Sequence, residues 1–573
     1  MQNADCKMQI AKLTVYILTF LFFIFHFSPD TCYASEDLYA ARLDKGLSNT
    51  EPYSYLLIKM AHEDRGRAKT LLVSARKYSP DLPAVYFGLA RESFSLSPLG
   101  IFETLEHLRQ GIKAYGRNFW WEFSIAGLIY SGLLVSFFFS MLIVLLIRFP
   151  MEAGLLLHDG MEDRKRLILF GLLPFLSLFG LISFIAGAFS LIGFYFKRTD
   201  RIVVYASLLF FILSPMLQGI AGIFFTTPPP TLKAVVAVNE GRDNRYALWT
   251  LKGRDDLASA FSYALALKRE GYYNEAIDVY KGLASRTATA PKNLTVFWGP
   301  RVYLNLGNSY YAVKDIEAAK ESYKKSIEIA ALPSAFYNLS QIHREMLDFV
   351  KGDEYFLEAA KLNPEAVHRF TSISGPNPNR FVVDETLPMS ALWGYAIDRT
   401  PHPLTKNLFL SGIAVILTAM FFTLNRKIRH RAHKCKRCGA IFCSKCSRAI
   451  TWGEMCPDCF RSFIKMEGLE PKERIAKLLS VYQSQVKRRK TARLLSCVIP
   501  GAGQVYSGRM LSGLLFLWVF LFSITLLVMN QFPFTGLSSF SHDWLVPFIV
   551  ILMALTYMLS IVHMRRGIQK GWL

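Results

Sequence analysis

Residues 303–323 read YLNLGNSYYAVKDIEAAKESY, and their pattern recurs over a large part of the chain. Small and aromatic residues fall at helical spacing in two segments, which predicts two helices that pack closely through Gly307 and Ala319. Between residues 254 and 364, a pair of small residues 12 apart occurs three times. The three pairs are Ala264 with Ala276, Gly307 with Ala319, and Ser340 with Gly352. This spacing predicts three copies of one helical hairpin.

These positions resemble the tetratricopeptide repeat family, in which small residues let two helices approach and aromatic residues fill the space between them. The repeat-core residues are Tyr303, Leu306, Gly307, Tyr310, Ala319, Tyr323 and, at the end of the third copy, Pro364. Residues 285–300 separate the first two copies and are expected to form an enlarged connection. The resemblance implies an α-helical solenoid whose concave face holds a peptide or a partner protein. An unrelated stack of α-hairpins is the alternative.

The N-terminal residues 1–34 are predicted to be a secretory signal peptide. Two lysines precede the apolar run 13–27, and small residues before Ser35 fit a cleavage site. An uncleaved anchor is the alternative, and both place residue 35 outside the cytoplasm. Residues 35–118 predict an extracytoplasmic helical domain with turn signals at 79–81 and 97–98, either a repeat-like layer or a plain layer of helical hairpins.

Long apolar runs dominate much of the remaining chain. Of its 573 residues 52% are apolar, and several runs are typical of helices that cross a bilayer. Residues 119–225 predict a span at 123–147, a hairpin within 167–196 and a second span at 202–225. Thirty residues give about 45 Å of helix, more than one bilayer core of about 30 Å needs and less than two. A single tilted helix is the alternative to a tight or re-entrant hairpin opening near 174–187.

Basic residues indicate which ends of these spans face the cytoplasm. Both flanks of the run 167–196 are rich in Lys and Arg, which favours the hairpin. Residues 226–403 would then be an extracytoplasmic repeat domain with a stiff linker at 226–230 and a loop-like end at 371–403. Residues 404–424 cross back, and residues 426–493 follow with 19 Lys and Arg against five Asp and Glu, out of a net charge of +22. This excess indicates the cytoplasmic side.

A cysteine-rich segment, residues 435–460, follows that crossing and reads CKRCGAIFCSKCSRAITWGEMCPDCF. It holds six of the nine cysteines as three CxxC pairs: Cys435 with Cys438, Cys443 with Cys446, and Cys456 with Cys459. Two CxxC loops supply four thiolates to a tetrahedral zinc ion, and the first and third pairs have the spacing of such sites. We therefore expect a zinc-binding module over residues 430–465 in the reducing cytoplasm.

The segment HKCKRCGAIFCSKCS, residues 433–447, resembles the central part of FYVE zinc fingers. The resemblance implies one zinc shared by the first and third pairs, and it leaves Cys443 and Cys446 without the opening CxxC pair that the family has. Three alternatives stay open: Cys443 and Cys446 are reduced thiols, a dimer shares metal, or His430 and His433 act as extra ligands. Phosphoinositide recognition is not supported, because the opening pair is missing.

The C-terminal part is predicted to return to the membrane. Residues 466–493 form a basic amphipathic segment that lies on the interface or packs on the cysteine module. Residues 494–573 form a two-helix membrane module, and 494–513 resemble the Pro-Gly-x-Gly-Gln-x-Tyr-x-Gly motif of small bacterial modules of that kind. The basic run 487–490 has little aromatic interleaving, which indicates a bilayer anchor and no nucleic-acid partner.

Patterns for catalysis are absent from the sequence. It contains no phosphate-binding glycine loop, GxSxG or HExxH motif, and an all-cysteine zinc site is closed to water. We expect a mainly α, polytopic protein of a bacterial-type inner membrane that is not an enzyme, with periplasmic repeats and a cytoplasmic zinc module. The leading hypothesis is a scaffold or assembly protein that binds protein partners through its repeats and contacts the lipid bilayer. The alternative is a zinc or redox sensor that uses Cys443 and Cys446.

Overall fold

The computed structural model describes residues 39, 47–162, 173–197, 199–374, 382–399, 408–427, 432–443, 455–465, 470–531 and 542–571. The predicted signal peptide therefore lies outside the described residues. The chain divides into two compact units. The first unit combines residues up to Phe119 with Pro229–Ala396, and the second combines Trp120–Pro228 with Ile397–Leu573. The described part is mainly helical, as the sequence predicts.

Among the described residues before 119, four helices form two hairpins: α1 Glu51–Glu63, α2 Ala68–Tyr78, α3 Pro83–Ser93 and α4 Pro98–Tyr115. The predicted turn signals lie between α2 and α3 and between α3 and α4. Ser97 caps α4, because its hydroxyl accepts from the amide of Gly100 at 3.1 Å. α3 and α4 each have a proline in their first turn. Amides of the first turn have no hydrogen-bond partner within the helix, so the missing amide of proline costs nothing there.

The first apolar run belongs to one long helix, α5 Phe119–Glu162. It exceeds the predicted span of 123–147 because the helix continues well past the apolar run. The next described helix, α6 Leu181–Gly193, follows a break at Gly180, whose φ of +100° disfavours other residues. This break lies within the predicted hairpin opening and excludes the single long helix.

The predicted span 202–225 consists of two helices, α7 Arg201–Ile212 and α8 Ser214–Phe225, which are bent by 59°. The pair is together long and apolar enough for one broken span or a re-entrant loop. Pro215 lies in the first turn of α8 and has no amide hydrogen, so it cannot bond the carbonyl of Phe211. The hydroxyl of Ser214 donates to that carbonyl at 2.8 Å and stabilises the bend.

The repeat region is a succession of helices: α9 Pro230–Asn239, α10 Arg245–Leu251, α11 Leu257–Arg269, α12 Tyr273–Ala288, α13 Lys292–Ala312, α14 Ile316–Ile329, α15 Pro333–Glu345, α16 Phe349–Leu362, α17 Pro364–Ser374 and α18 Met389–Arg399. The three predicted hairpins are α11 with α12, α13 with α14, and α15 with α16. Residues 285–300 do not form an enlarged loop, because α12 and α13 extend into them. The expected loop at 371–403 contains the end of α17 and all of α18.

A buried polar cluster joins the N-terminal helices to the repeat helices within the first unit. Arg242 lies 3.1 Å from the carboxylate of Glu51 and 2.7 Å from that of Glu240. It also donates to Asn118 at 2.7 Å, and the amide of Phe119 donates to Glu240. Burial raises the pKa of Glu240 to about 7 despite the nearby guanidinium, and burial also raises the pKa of Glu51. The guanidinium of Arg242 thus contacts two buried carboxyl groups.

The C-terminal elements are α19 Leu408–Lys427, β1 His433–Lys434, β2 Ile441–Phe442, α20 Pro457–Phe460, α21 Pro471–Val498, α22 Ala502–Tyr506, α23 Met510–Met529 and α24 Val546–Gln569. Within the described ranges, three helices are long and apolar enough to cross a membrane: Phe119–His158, Met510–Met529 and Asp543–Gln569. The bent pair α7 and α8 adds a fourth candidate. The apolar stretch Ser411–Leu424 of α19 is shorter than these.

The candidate spanning helices of the second unit contact one another at two ends. At one end, the hydroxyl of Ser124 lies 3.0 Å from the ring of His542, and the rings of Phe123 and Phe224 lie 5.1 Å apart. At the other end, the carboxylate of Asp200 accepts from the amide of Met510 at 3.1 Å. Consequently α5 and α24 run from the first end to the second, whereas the pair α7 and α8, and α23, run back.

The glycines of the PGAGQVYSG stretch allow close backbone approach between helices. A Cβ atom on Gly501 would lie 2.3 Å from the carbonyl oxygen of Gly513, and one on Gly503 would lie 2.3 Å from that of Ala492. Gln504 is fully buried and donates to the carbonyl of Ser560 at 2.8 Å. These contacts pack α21, α22, α23 and α24 together, which gives this stretch a structural role.

Candidate functional site

Four of the six clustered cysteines come together. The Sγ atoms of Cys435, Cys438, Cys456 and Cys459 all lie within 4.8 Å of one another, and those of Cys438 and Cys456 are 3.6 Å apart. A tetrahedral ion with metal–sulfur bonds of about 2.3 Å requires sulfur–sulfur distances of about 3.8 Å. The group therefore fits one tetrahedral metal ion. Four thiolate donors are typical of zinc or iron.

Two short loops position these sulfur atoms. The first connects the antiparallel strands β1 and β2, where Gly439 has a φ of +79° and donates to the carbonyl of Cys435 at 2.9 Å. The amide of Cys435 donates to Ala440 at 2.9 Å and closes the same turn. In the second loop, Cys456 precedes α20 and Cys459 lies in it, with Pro457 between them in the first turn. Each CxxC pair thus has a backbone that fixes its two thiols on one side.

Backbone amides and burial have opposing effects on the pKa values of these thiols. Burial raises the pKa of Cys435, but the amides of Cys456 and Cys438 outweigh it and lower that pKa to about 7. The amide of Cys456 donates to the sulfur of Cys435 at 3.3 Å. Burial raises the pKa of Cys456 and Cys459. A metal ion must displace protons from these two thiols, so metal affinity should fall as the pH falls.

The structure places Cys443 outside this group, in contrast to the sequence-based assignment of six metal-binding cysteines. Phe442, at the end of β2, packs with the sulfurs of the group, whereas its two neighbours Ile441 and Cys443 pack in a separate cluster. Cys443 is buried instead with Leu155 of α5 and Ala432. Cys446 lies outside the described residues.

Of the two predicted extra ligands, His433 is described and lies outside the group. His433 is on β1 and exposed, and its ring lies 6.2 Å from that of Phe442. Among the described residues, the metal-competent group contains only the four cysteines. His430 lies outside the described residues. One tetrahedral ion therefore needs no histidine here.

The cysteine module contacts two helices. Val481 of α21 packs with Phe442, Cys435 and Cys459, so the predicted amphipathic segment lies against the module. In addition, Lys434 donates to the carbonyl of Met151 in α5. The module thus contacts the C-terminal part of α5. Arg148 and Glu152, a buried ion pair that the sequence analysis missed, lie on the same part of α5.

Packing inside the repeats follows the expected use of small and aromatic residues. A Cβ atom on Gly307 would lie 2.5 Å from the ring of Tyr323, and Ala319 and Tyr323 are fully buried. Leu306 is buried, while Tyr303 and Tyr310 are half-buried. Pro364 differs from the expectation: it is exposed and starts α17, because proline fits the first turn of a helix.

An extended segment, residues 382–388, lies across the first helices of the repeat pairs, and we call it the strap. Asn338 of α15 donates to the carbonyl of Val383 at 2.9 Å and accepts from its amide at 2.8 Å. Asn305 of α13 makes the same two bonds with Glu385, both at 2.9 Å. Asn239 of α9 accepts from the amide of Leu387 at 2.8 Å. Alternate strap residues are thus held by an asparagine row: Asn239, Asn305 and Asn338.

Two acidic side chains of the strap meet basic residues of the repeats. Asp384 accepts from Lys268 at 2.8 Å and from Arg269 at 3.1 Å. Burial alone would raise the pKa of Asp384, but these two cations and Asn308 outweigh it and lower that pKa to about 2. Glu385 lies 3.6 Å from Arg301. The acidic pair is therefore recognised by charge as well as by hydrogen bonds.

The sequence analysis missed the asparagine row, although the repeats carry a signal for it. Asn305 and Asn338 each stand two residues before the small late residue of their copy, Gly307 and Ser340. The same position of the first copy holds Ser262, and its hydroxyl accepts from Asn239 at 2.8 Å. A polar residue at one repeat position, buried in every copy, indicates a shared partner.

Comparison with known proteins supports the repeat assignment. Residues 300–331 match the family model of the tetratricopeptide repeat. The match covers the second half of α13 and all of α14, which include Gly307, Ala319 and Tyr323. No curated protein matches the chain.

Proposed function

We propose that this protein is a non-enzymatic scaffold or assembly protein of a bacterial-type inner membrane. Its repeat helices bind partner proteins, and its cysteine module holds one structural zinc ion. The observation that carries the proposal is the close packing of α13 on α14 through Gly307 and Tyr323, together with the tetratricopeptide repeat match over residues 300–331. Repeats of this family generally mediate protein–protein interaction.

The donor set supports zinc in a structural role. Four thiolates complete a tetrahedral shell, which leaves no position for a water nucleophile. The four sulfurs are also packed against Phe442 and Val481, which limits access of a substrate. The ion would therefore hold the two CxxC loops together and maintain the surface on which α21 packs. It would take no part in a reaction.

Chain connectivity supports the proposed topology. Residues 47–119 and 229–396 pack in one unit through the buried Arg242 cluster, so both must lie on one side of the membrane. The intervening chain must then cross an even number of times, which α5 and the bent pair α7 and α8 provide. The cysteine module contacts α5 beyond its apolar part, through Met151 and Leu155. We assign the repeats to the periplasm and the module to the cytoplasm, because the basic residues follow α19.

Cross-linking in cells followed by purification of the tagged full-length chain tests partner binding. We expect specific extracytoplasmic proteins to be recovered with the wild type and with Cys459→Ser, which removes a metal ligand and leaves the repeat helices unchanged. Gly307→Val should lose them, because its side chain would clash with Tyr323. Recovery of the same proteins with Gly307→Val, or of none with the wild type, would contradict the proposal.

A further inference from the structure

We propose that the asparagine row is a binding site for an extended acidic peptide, and that the strap is its resident ligand. This inference rests on the proposed function, since it takes the repeats as a protein-binding surface and names the chemistry of the segment they hold. A partner segment with an adjacent acidic pair would bind in place of the strap.

The asparagine row recognises the backbone of the strap. Asn305 and Asn338 each bond both the amide and the carbonyl of one strap residue, and Asn239 bonds the amide of a third. Such bonds require an extended backbone but no particular side chain, because every residue except proline offers both groups. The row therefore selects the conformation of its ligand and leaves most of the sequence open.

The charges around the strap supply the specificity for acidic residues. Lys268, Arg269 and Arg301 face the strap where Asp384 and Glu385 lie. Ser334 also donates to the carboxylate of Glu385. A ligand without acidic residues at these two positions would leave the buried Arg269 and the partly buried Lys268 and Arg301 without their carboxylate partners, which is costly. The site thus fits an extended peptide with two adjacent carboxylates.

The contacts of the strap allow it to be exchanged for another segment. Its contacts are mainly hydrogen bonds and ion pairs, with Val383 and Leu387 as its buried apolar side chains. Water can solvate the asparagine row and the cations once the strap leaves, so opening costs less than exposing an apolar core. The strap is part of the same chain, however, and such tethering gives a local concentration on the order of millimolar. A free peptide should therefore bind the wild type poorly.

Peptide binding to the full-length protein in detergent tests this inference. The probe is a fluorescent peptide with the sequence of residues 382–388, VVDETLP, followed by anisotropy. The variant Asp384→Ala with Glu385→Ala weakens the strap and leaves the row intact. We expect it to bind the probe at least about tenfold more tightly than the wild type does. A control peptide with lysine at both acidic positions should bind this variant at least about tenfold more weakly than the probe does.

Two further variants identify the site and guard against misfolding. Adding Asn305→Ala and Asn338→Ala to the strap variant should abolish binding of the probe. If the alanine strap variant does not fold, Asp384→Asn with Glu385→Gln replaces it, since the amides keep the size of the side chains. No saturable binding to a folded strap variant would overturn the inference. Failure of both strap variants to fold would also overturn it, because the strap would then be an integral part of the core.

The outcome is separable from that of the proposed function. If partner proteins are cross-linked in cells but the probe never binds, the repeats bind partners through another surface and only the inference fails. If no partner is cross-linked but the probe binds a strap variant, the peptide site stands and the scaffold proposal fails.

Discussion

The repeat helices and the cysteine module maintain their folds through different interactions. Tyr280, Tyr323 and Tyr337 are each fully buried between helices, and packing of this kind extends over three hairpins. The module is much smaller, and beside its sulfurs the buried apolar side chains are those of Phe442 and, from α21, Val481. So small a segment cannot offset its conformational entropy by apolar burial alone. Stability is thus distributed over many contacts in the repeats, whereas in the module we expect it to depend on the proposed metal ion.

The largest effect should come from removing one metal ligand. We expect Cys459→Ser to reduce bound zinc from one per chain to near zero, since structural zinc contributes on the order of 10 kcal/mol. Elemental analysis of the purified full-length chain measures this. The matched control is Cys443→Ser, which should keep the metal because Cys443 lies outside the four-sulfur group. Equal metal loss in both variants would show that the group is not the site.

A smaller effect should follow from the same substitution at two repeat glycines. Gly307→Ala should destabilise the repeats by about 1–3 kcal/mol, because the added methyl group would overlap the ring of Tyr323. Gly282→Ala should stabilise α12 by up to about 1 kcal/mol, because the new Cβ meets open space in a helix interior. Thermal unfolding in detergent should rank Gly282→Ala above the wild type and Gly307→Ala below it. Shifts of the same sign would contradict repeat packing through Gly307.

The smallest effect concerns the buried cluster around Arg242. The folded-state pKa of Glu240 is raised from 4.5 to about 7, so its stabilising effect is complete below about pH 4.5 and is lost as the pH rises to about 7. Glu51, which shares Arg242, has a raised pKa as well and acts in the same direction. We expect the wild type to lose on the order of 1 kcal/mol over this window. Thermal unfolding at pH 5 and pH 7 measures the difference.

Glu240→Gln should remove most of this pH dependence, because glutamine does not titrate. The control Glu275→Gln makes the same change at an exposed position on α12 and should leave the dependence intact. An unchanged pH dependence in Glu240→Gln would show that this cluster does not govern it.

Local features of the fold were predictable from the sequence because they depend on nearby residues. The 12-residue spacing of Gly307 and Ala319 follows from the geometry of a helical hairpin, and spacing alone identified the two CxxC pairs that meet. The bend before Pro215 was not part of the predicted span, although its cause is local: proline has no amide hydrogen to bond the preceding turn.

Long-range features were not predictable in the same way. The exclusion of Cys443 depends on which face of β2 meets the sulfurs, and three CxxC pairs alone do not define that face. The strap is polar and has no helical period, so its sequence resembles a loop. Its partners Asn305 and Asn338 lie 80 and 45 residues before the positions they bond. Only the folded chain brings these groups together.

Reporter fusions after residues 160, 199, 300 and 450 test the central claim, that one chain places its repeats and its metal module on opposite sides of the membrane. We predict cytoplasmic signals at 160, 199 and 450 and an extracytoplasmic signal at 300. The even number of crossings required by the Arg242 cluster supports this pattern. A cytoplasmic signal at 300 would contradict both the topology and the periplasmic partner.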